Sequence, residues 1–271
     1  MSDARALYRL NRSVPDAAGY ARILELEEKF FGVRAAEFVA NAPDFAERGE
    51  LITALGERLA DEEANPGPAD LFITDDADLP QFREIVSQFA VDGLIESQAL
   101  LAVIPRLPSR SRMAVFRVLI DEFGCGNDDQ EHAGLYLGLL RELGLPTDLD
   151  HHVENAADEV LGFVNLFYWL AARAPEPDYF LGAYSYFESS VLYAFRSFAG
   201  ASKRLGLEQD RYYTEHLYVD AFHSKQMQAA IRELDLEQGV DLRKVWAGVE
   251  LTSTVVGEAM DAAVARAKAV A

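Results

Sequence analysis

The most chemically suggestive pattern in this chain is His216, Asp220 and His223, in the stretch YYTEHLYVDAFHSKQ. On an α-helix, spacings of four and seven residues put Asp220 and His223 within about 40° of His216, so the three side chains share one face. Two imidazoles and a carboxylate on one face are a donor set for iron. Met227 and Leu234 continue the same stripe, so the face points into a core. A solvated polar face with a satisfied histidine is the ordinary alternative. It suits a lone histidine better than this triple.

Two glutamates fall on similar stripes. Glu96 follows Phe82, Ile85, Phe89 and Gly93 and precedes Leu100 and Val103 at helical spacing. Glu188 sits between Leu181 and Tyr184 on one side and Leu192, Phe195 and Ala199 on the other. A buried bare carboxylate is costly, so each requires a cation, a metal or a proton. Gly93 leaves room beside Glu96 on this reading. A structural salt bridge, for instance of Glu188 with Arg196, is the alternative for each.

The stretch IDEFGCGNDDQEHAGLY holds the remaining candidates. His132 has Asp129 three residues before it and Asp128 four before, and either carboxylate would share its face. Glu131 points about 100° away, toward solvent. Glu122 lies two turns before Asp129 if the helix runs on. Gly124 and Gly126 oppose that, because each costs about 1 kcal/mol in a helix interior. This segment is therefore expected to be the least stable helix of the core. An ordinary acidic helix start, capped by Asn127 or Asp128, is the competing reading. Together the segments offer three histidines and four or five carboxylates, a set that suits two metals. Helical bundles build di-iron carboxylate sites from facing helices. The ferritin-like pair of E-x-x-H motifs is absent; D-x-x-H occurs once.

Helical periodicity supplies the elements that must position these groups. Asp16 to Ala42 gives one helix or two, and Asp44 to Ala60 another. Residues 61–79, DEEANPGPADLFITDDADL, have the Pro, Gly and acid content of a loop. Further helices are expected at about 81–104, 110–123, 128–143, 150–173, 178–205, 208–235 and 240–268. No convincing alternating strand run occurs. The fold class is all-α. A single domain is expected over 1–271, with 1–60 as N-terminal helices, 80–235 as the metal-binding core and 240–268 as a C-terminal helix.

Composition removes several function classes. A net charge of −20 argues strongly against nucleic acid, whose phosphates need clustered Lys and Arg. It argues more weakly against anionic membranes. No run of about 18 apolar residues is present for a membrane span. The start, MSDARALYRLNRSVPD, lacks the apolar core of a signal peptide, so a cytoplasmic location is expected. One cysteine rules out an internal disulfide or thiolate cluster and fits a reducing compartment. Metal ligands would then be oxygen and imidazole, which suit iron or manganese better than structural zinc.

With these residues in order, the chain resembles the haem-oxygenase-like di-iron oxidases and oxygenases, also described as iron-containing redox enzymes. The resemblance covers about residues 80–235. It rests on Glu96, then IDEFGCGNDDQEHAGLY, then Glu188 in GAYSYFESS, then HLYVDAFH, with 33 residues from Glu96 to Asp129 and 59 from Asp129 to Glu188. It implies a haem-oxygenase-like helical bundle, two Fe(II) ions, O2 as co-substrate and a peroxo-di-iron(III) species. A homodimer and an external electron donor are its expected partners. Carried over by position, it implies Glu96, Asp129, His132, Glu188, His216, Asp220 and His223 as ligands. Glu122 sits where some members, notably N-oxygenases, supply an additional carboxylate. Asp129 departs from the family's Glu and is one methylene shorter, so the helix must come closer or Asp128 must take its place. In such proteins the iron-binding helix is often labile without metal, in agreement with the reading of Gly124 and Gly126.

The family's reactions include N-oxygenation of amines, desaturation, and oxidative C–C cleavage of amino acids or fatty acids, and one metal site serves them all. The expectation is an O2-activating enzyme of natural-product biosynthesis acting on a small amine-bearing metabolite such as an amino acid. The position of Glu122 favours N-oxygenation. A long apolar tunnel would favour a fatty acid; a short pocket with an arginine would favour an amino acid. A more distant alternative is metal-free, thiaminase-like hydrolysis with Cys125 as nucleophile, although a lone cysteine is more often inert. A binding protein with a relic site is a third class. Tyr184, Tyr193, Tyr212 and Tyr213 are candidates to line the pocket, but tyrosines on an apolar face are more often core, and no roles are assigned to them.

Overall fold

Cap residues and glycines divide the chain into helices much as the periodicity requires. Asp78 accepts from the Gln81 N–H at 2.9 Å, while the Gln81 side chain accepts from the Asp78 N–H at 3.0 Å. This reciprocal box starts the helix that leads to Glu96. The computed structural model describes residues 1–270, and Asp220 by its backbone alone. Helices α1 (Asp3–Asn11), α2 (Ala17–Glu27) and α3 (Val33–Asn41) come first, the last two joined by a wide helical turn at Glu28–Gly32. Next are α4 (Arg48–Ala64), α5 (Pro68–Leu71), α6 (Leu79–Gly93), α7 (Ser109–Glu122) and α8 (His132–Glu142). The chain continues through α9 (Leu149–Asn155), α10 (Asp158–Ala172), α11 (Pro177–Leu205), α12 (Arg211–Gln238) and α13 (Leu242–Lys268). No strand occurs among the described residues, so the protein is all-α. None of its helices is long and apolar enough to cross a membrane, again among the described residues.

The long helices α11 and α13 form the central seam, with α12 against α11 and α7, and α10 against α13. The seam is close because Gly182 of α11 faces the Val245 backbone and Gly248 of α13 faces the Tyr179 carbonyl. A Cβ at either position would overlap backbone atoms. Leu7, Tyr8 and Ile23 from the N-terminal helices share one apolar core with Val160, Phe180 and Leu251.

Five stretches differ from the periodicity reading, the first being α1, since no helix is expected before Asp16. Helix α6 ends at Gly93, and Glu96 lies on a turn whose Ser97 has φ +62°, before a 3-10 segment at Gln98–Arg106. The room beside Gly93 is filled by the Tyr136 ring, which a Cβ there would meet at 2.5 Å. The stretch 150–173 breaks at Ala156 and Ala157, both extended. Residues 61–79 contain the end of α4, α5 and a wide turn at Phe72–Asp76 whose Ile73 is fully buried. Helix α8 starts only at His132, because Gly124, Cys125 and Gly126 all have positive φ, which no right-handed helix accommodates.

Candidate metal centre

Helix α7 buries Ser111, Val115, Val118 and Glu122. Their spacings of four, three and four put Glu122 at the inner end of one stripe. Glu188 is buried midway along α11, and His216 and His223 are buried on α12. His132 is the first residue of α8 and is buried; Glu96 reaches inward from the turn after α6. These six side chains meet in two overlapping groups. Ligand atoms of Glu96, Glu122, His132 and His216 lie within 4.8 Å of one another, and so do those of Glu122, Glu188 and His223. Glu122 belongs to both. Its Oε2 is 2.9 Å from His132 Nδ1, and its Oε1 is 3.4 Å from His223 Nδ1. Glu188 Oε2 approaches the same His223 nitrogen at 3.0 Å.

The first group is aimed by its neighbours. His216 Nδ1 lies 2.6 Å from the Tyr212 carbonyl, an acceptor, so Nδ1 carries a proton and Nε2 is the ring atom turned to Glu96 Oε1, at 3.0 Å. The Tyr212 hydroxyl donates to that same Glu96 oxygen at 3.1 Å. Ser97 donates to Glu122 Oε2 at 3.3 Å. Glu96 Oε2 is buried with no hydrogen-bond partner among the described residues, and His132 Nδ1, although close to Glu122, makes no hydrogen bond of good geometry. Three carboxylates and three imidazoles that converge in this way crowd acceptor atoms into a dry interior, and not all of them find a proton. A proton serves only two of these atoms, whereas divalent cations serve all of them. The donor set therefore fits iron.

The local charges act accordingly. Burial pushes the Glu122 carboxyl up, but the imidazoles of His132, His216 and His223 hold it down, to about 2. Burial works against the His132 imidazolium, and Glu122 more than offsets it, so that imidazole is raised. Asp92, on the last turn of α6, is pushed up to about 8 by burial and by the nearby charges of Glu96 and Glu122.

A cavity of about 120 Å³ opens on the cluster. Glu96, Glu122, Glu188 and His216 line it, and half of the other lining residues are aromatic, with Phe89, Phe163, Phe167, Phe187, Phe195 and Phe198 among them. Asp92 also lines it, and among the described residues no Lys or Arg does.

Not every expected residue reaches this place. Asp129 is exposed in the turn before α8, where its N–H donates to Asn127 Oδ1 at 3.1 Å, and Asp128 is exposed beside it. The reversal through Gly124–Gly126 swings both out, and it is Glu122, before the reversal, that faces His132. The Asp220 side chain lies outside the described residues. Cys125 is exposed and donates to Asp121 Oδ1 at 3.4 Å, which raises its thiol pKa, the opposite of an activated nucleophile. Arg196 pairs with Glu63 rather than with Glu188. Tyr212 has a place in the site through Glu96. The sequence reading also passed over Ser97, Asp92 and Asp121, whose Oδ2 lies 3.4 Å from His223 Nε2. For Asp92 the signal was its position three residues after Phe89 and four before Glu96. For Asp121 and Ser97 only the folded turns supply one.

Comparison with known proteins agrees with this donor set. A model of the family described as iron-containing redox enzymes matches residues 83–256, a span that includes all six clustered side chains. A nitrosourea synthase from Streptomyces achromogenes subsp. streptozoticus is 28% identical over 144 residues, which are 51% of this chain and 30% of that protein. The match thus spans less than a third of that relative's length.

Proposed function

The chain belongs to the iron-containing redox enzyme family, and on that premise we propose that it binds two iron ions and is an O2-dependent oxidase or oxygenase of a small amine. The observation that carries the reading is Glu122, which places one oxygen toward each of two buried ligand groups. Glu96, Glu122, His132 and His216 would hold one ion. Glu122, Glu188 and His223 would hold the other, together with Asp220 of the same helix. Iron bound there supplies redox chemistry with O2 that no protein side chain provides.

The chain's own residues do the rest. The Tyr212 carbonyl fixes the His216 tautomer, and the Tyr212 hydroxyl fixes one oxygen of Glu96. The phenylalanine walls keep water from the reacting centre. N-oxygenation is favoured among the family's reactions, with support from the extra carboxylate Glu122 and from the relative, whose product name denotes an oxidised nitrogen. The balance is R–NH2 + O2 + 2 e⁻ + 2 H⁺ → R–NHOH + H2O, the electrons coming from an external donor. Desaturation or oxidative C–C cleavage is the second reading, supported by the apolar lining of the cavity.

Anaerobic titration with Fe(II) tests the metal reading. Uptake of about two ions per chain is expected, with loss at one position in His216→Ala and in His223→Ala. Admission of O2 with a panel of amines is then expected to give substrate-dependent O2 consumption and an N–O product by mass spectrometry. Absence of iron uptake, or unchanged loading in both variants, would overturn the assignment.

A further inference from the structure

We propose that Asp92 anchors the cationic end of the substrate, and that the cavity selects an amine with a small apolar body and no free carboxylate. The inference rests on the reading above that this cavity is the active site. Of the four carboxylates lining it, three have imidazole partners: Glu96 with His216, Glu122 with His132, and Glu188 with His223. Asp92 makes no side-chain hydrogen bond or ion pair among the described residues, and it is a member of neither ligand group, although the charges of Glu96 and Glu122 reach it. An unpaired carboxylate facing a largely aromatic enclosure is costly unless it takes a proton or a cation comes to it, and a cation can displace that proton. A substrate ammonium is such a cation, and rings such as Phe89 and Phe163 add their quadrupoles to the attraction.

The same lining excludes the opposite charge. No Lys or Arg among the described residues lines the cavity, so away from the metal ligands a substrate carboxylate would meet hydroxyls and the Asp92 carboxylate but no side-chain cation. A free amino acid would carry that penalty; an amine without the acid group would not. Size restricts the class further. The cavity's 120 Å³ is close to the ~150 Å³ of an apolar cavity that admits benzene, so one ring or a short alkyl chain fits.

Calorimetry on the full chain, loaded anaerobically with Fe(II) so that no turnover occurs, tests this. The probes are 2-phenylethylamine, n-hexylamine, L-phenylalanine and 3-phenylpropionate. At least one of the amines is expected to bind roughly ten- to hundred-fold more tightly than phenylalanine or phenylpropionate. Asp92→Asn is expected to remove that preference by a similar factor, while iron uptake stays at the wild-type level. Equal or tighter binding of either acid, no binding of either amine, or an unchanged amine affinity in Asp92→Asn would overturn the proposal. Should that variant fail to fold, the wild-type ranking alone decides. A wild-type chain that takes up no iron would instead sink the metal reading, and the same ranking on the chelator-treated chain would still decide the role of Asp92.

Discussion

Where α11 crosses α13, the two backbones touch through Gly182 and Gly248, and the surroundings are apolar and buried. Where α7 gives way to α8, the chain passes through three consecutive residues of positive φ and a run of exposed residues, and it carries a metal-site candidate at each end, Glu122 and His132. The first junction is held by shape and depends on nothing from outside. The second brings like charges together in a dry place, and its local order depends on what neutralises them. The molecule thus separates what makes it fold from what makes it reactive, a division common in proteins whose functional segments have low local stability.

The largest expected effect breaks the rigid side. Gly182→Val puts side-chain atoms into the Val245 backbone, and a loss of more than ~3 kcal/mol is expected from such overpacking. Denaturant unfolding should show that loss equally with Fe(II) and with chelator; rescue by iron would mean that the two junctions are not separate. Next, chelation of iron should accelerate amide exchange in residues 123–131 and the first turn of α8, and leave the α11–α13 seam protected. Equal deprotection of both would abolish the contrast.

A smaller effect is a pH dependence of the iron-free chain. His132 is raised in the folded state, so the stability it contributes is full below its ordinary value of ~6.5 and is lost as pH rises through the raised one. Asp92, at about 8 when folded, is also raised, and its contribution declines as pH climbs from its ordinary value to there. Melting of the chelated protein should therefore occur at lower temperature at pH 9 than at pH 6, and Asp92→Asn should flatten the trend. A melting temperature that rises with pH would contradict both. The smallest effect is that of Cys125→Ser on the exposed turn, within about 0.5 kcal/mol of wild type and with iron uptake retained. Loss of activity in this variant would restore the hydrolase reading.

The sequence made the site legible wherever a helix runs unbroken. His216, His223 and Glu188 were found by spacing because α11 and α12 are continuous. Spacing fails across a break. Glu96 was expected on a helix and instead hangs from a turn, and Asp129 was paired with His132 by counting residues that are not yet helical. The buried stripe of α7 could have ranked Glu122 above Asp129, since it stays in phase up to the reversal. The split at Ala156 and Ala157 had no Pro or Gly to announce it. The glycines of the seam were equally silent, because only a neighbour from elsewhere in the chain explains why a side chain is forbidden there.

Glu122 is a single side chain with two clients. If a cation is held on each side, as proposed, one drawn to His132 would polarise the same carboxylate that faces His223, so occupancy on one side would alter the affinity on the other, and by thermodynamic reciprocity the converse would hold to the same degree. The binding isotherm for iron would then be a property of the pair rather than of either half. A chain that loses this one carboxylate would lose not half of its metal affinity but the agreement between the halves.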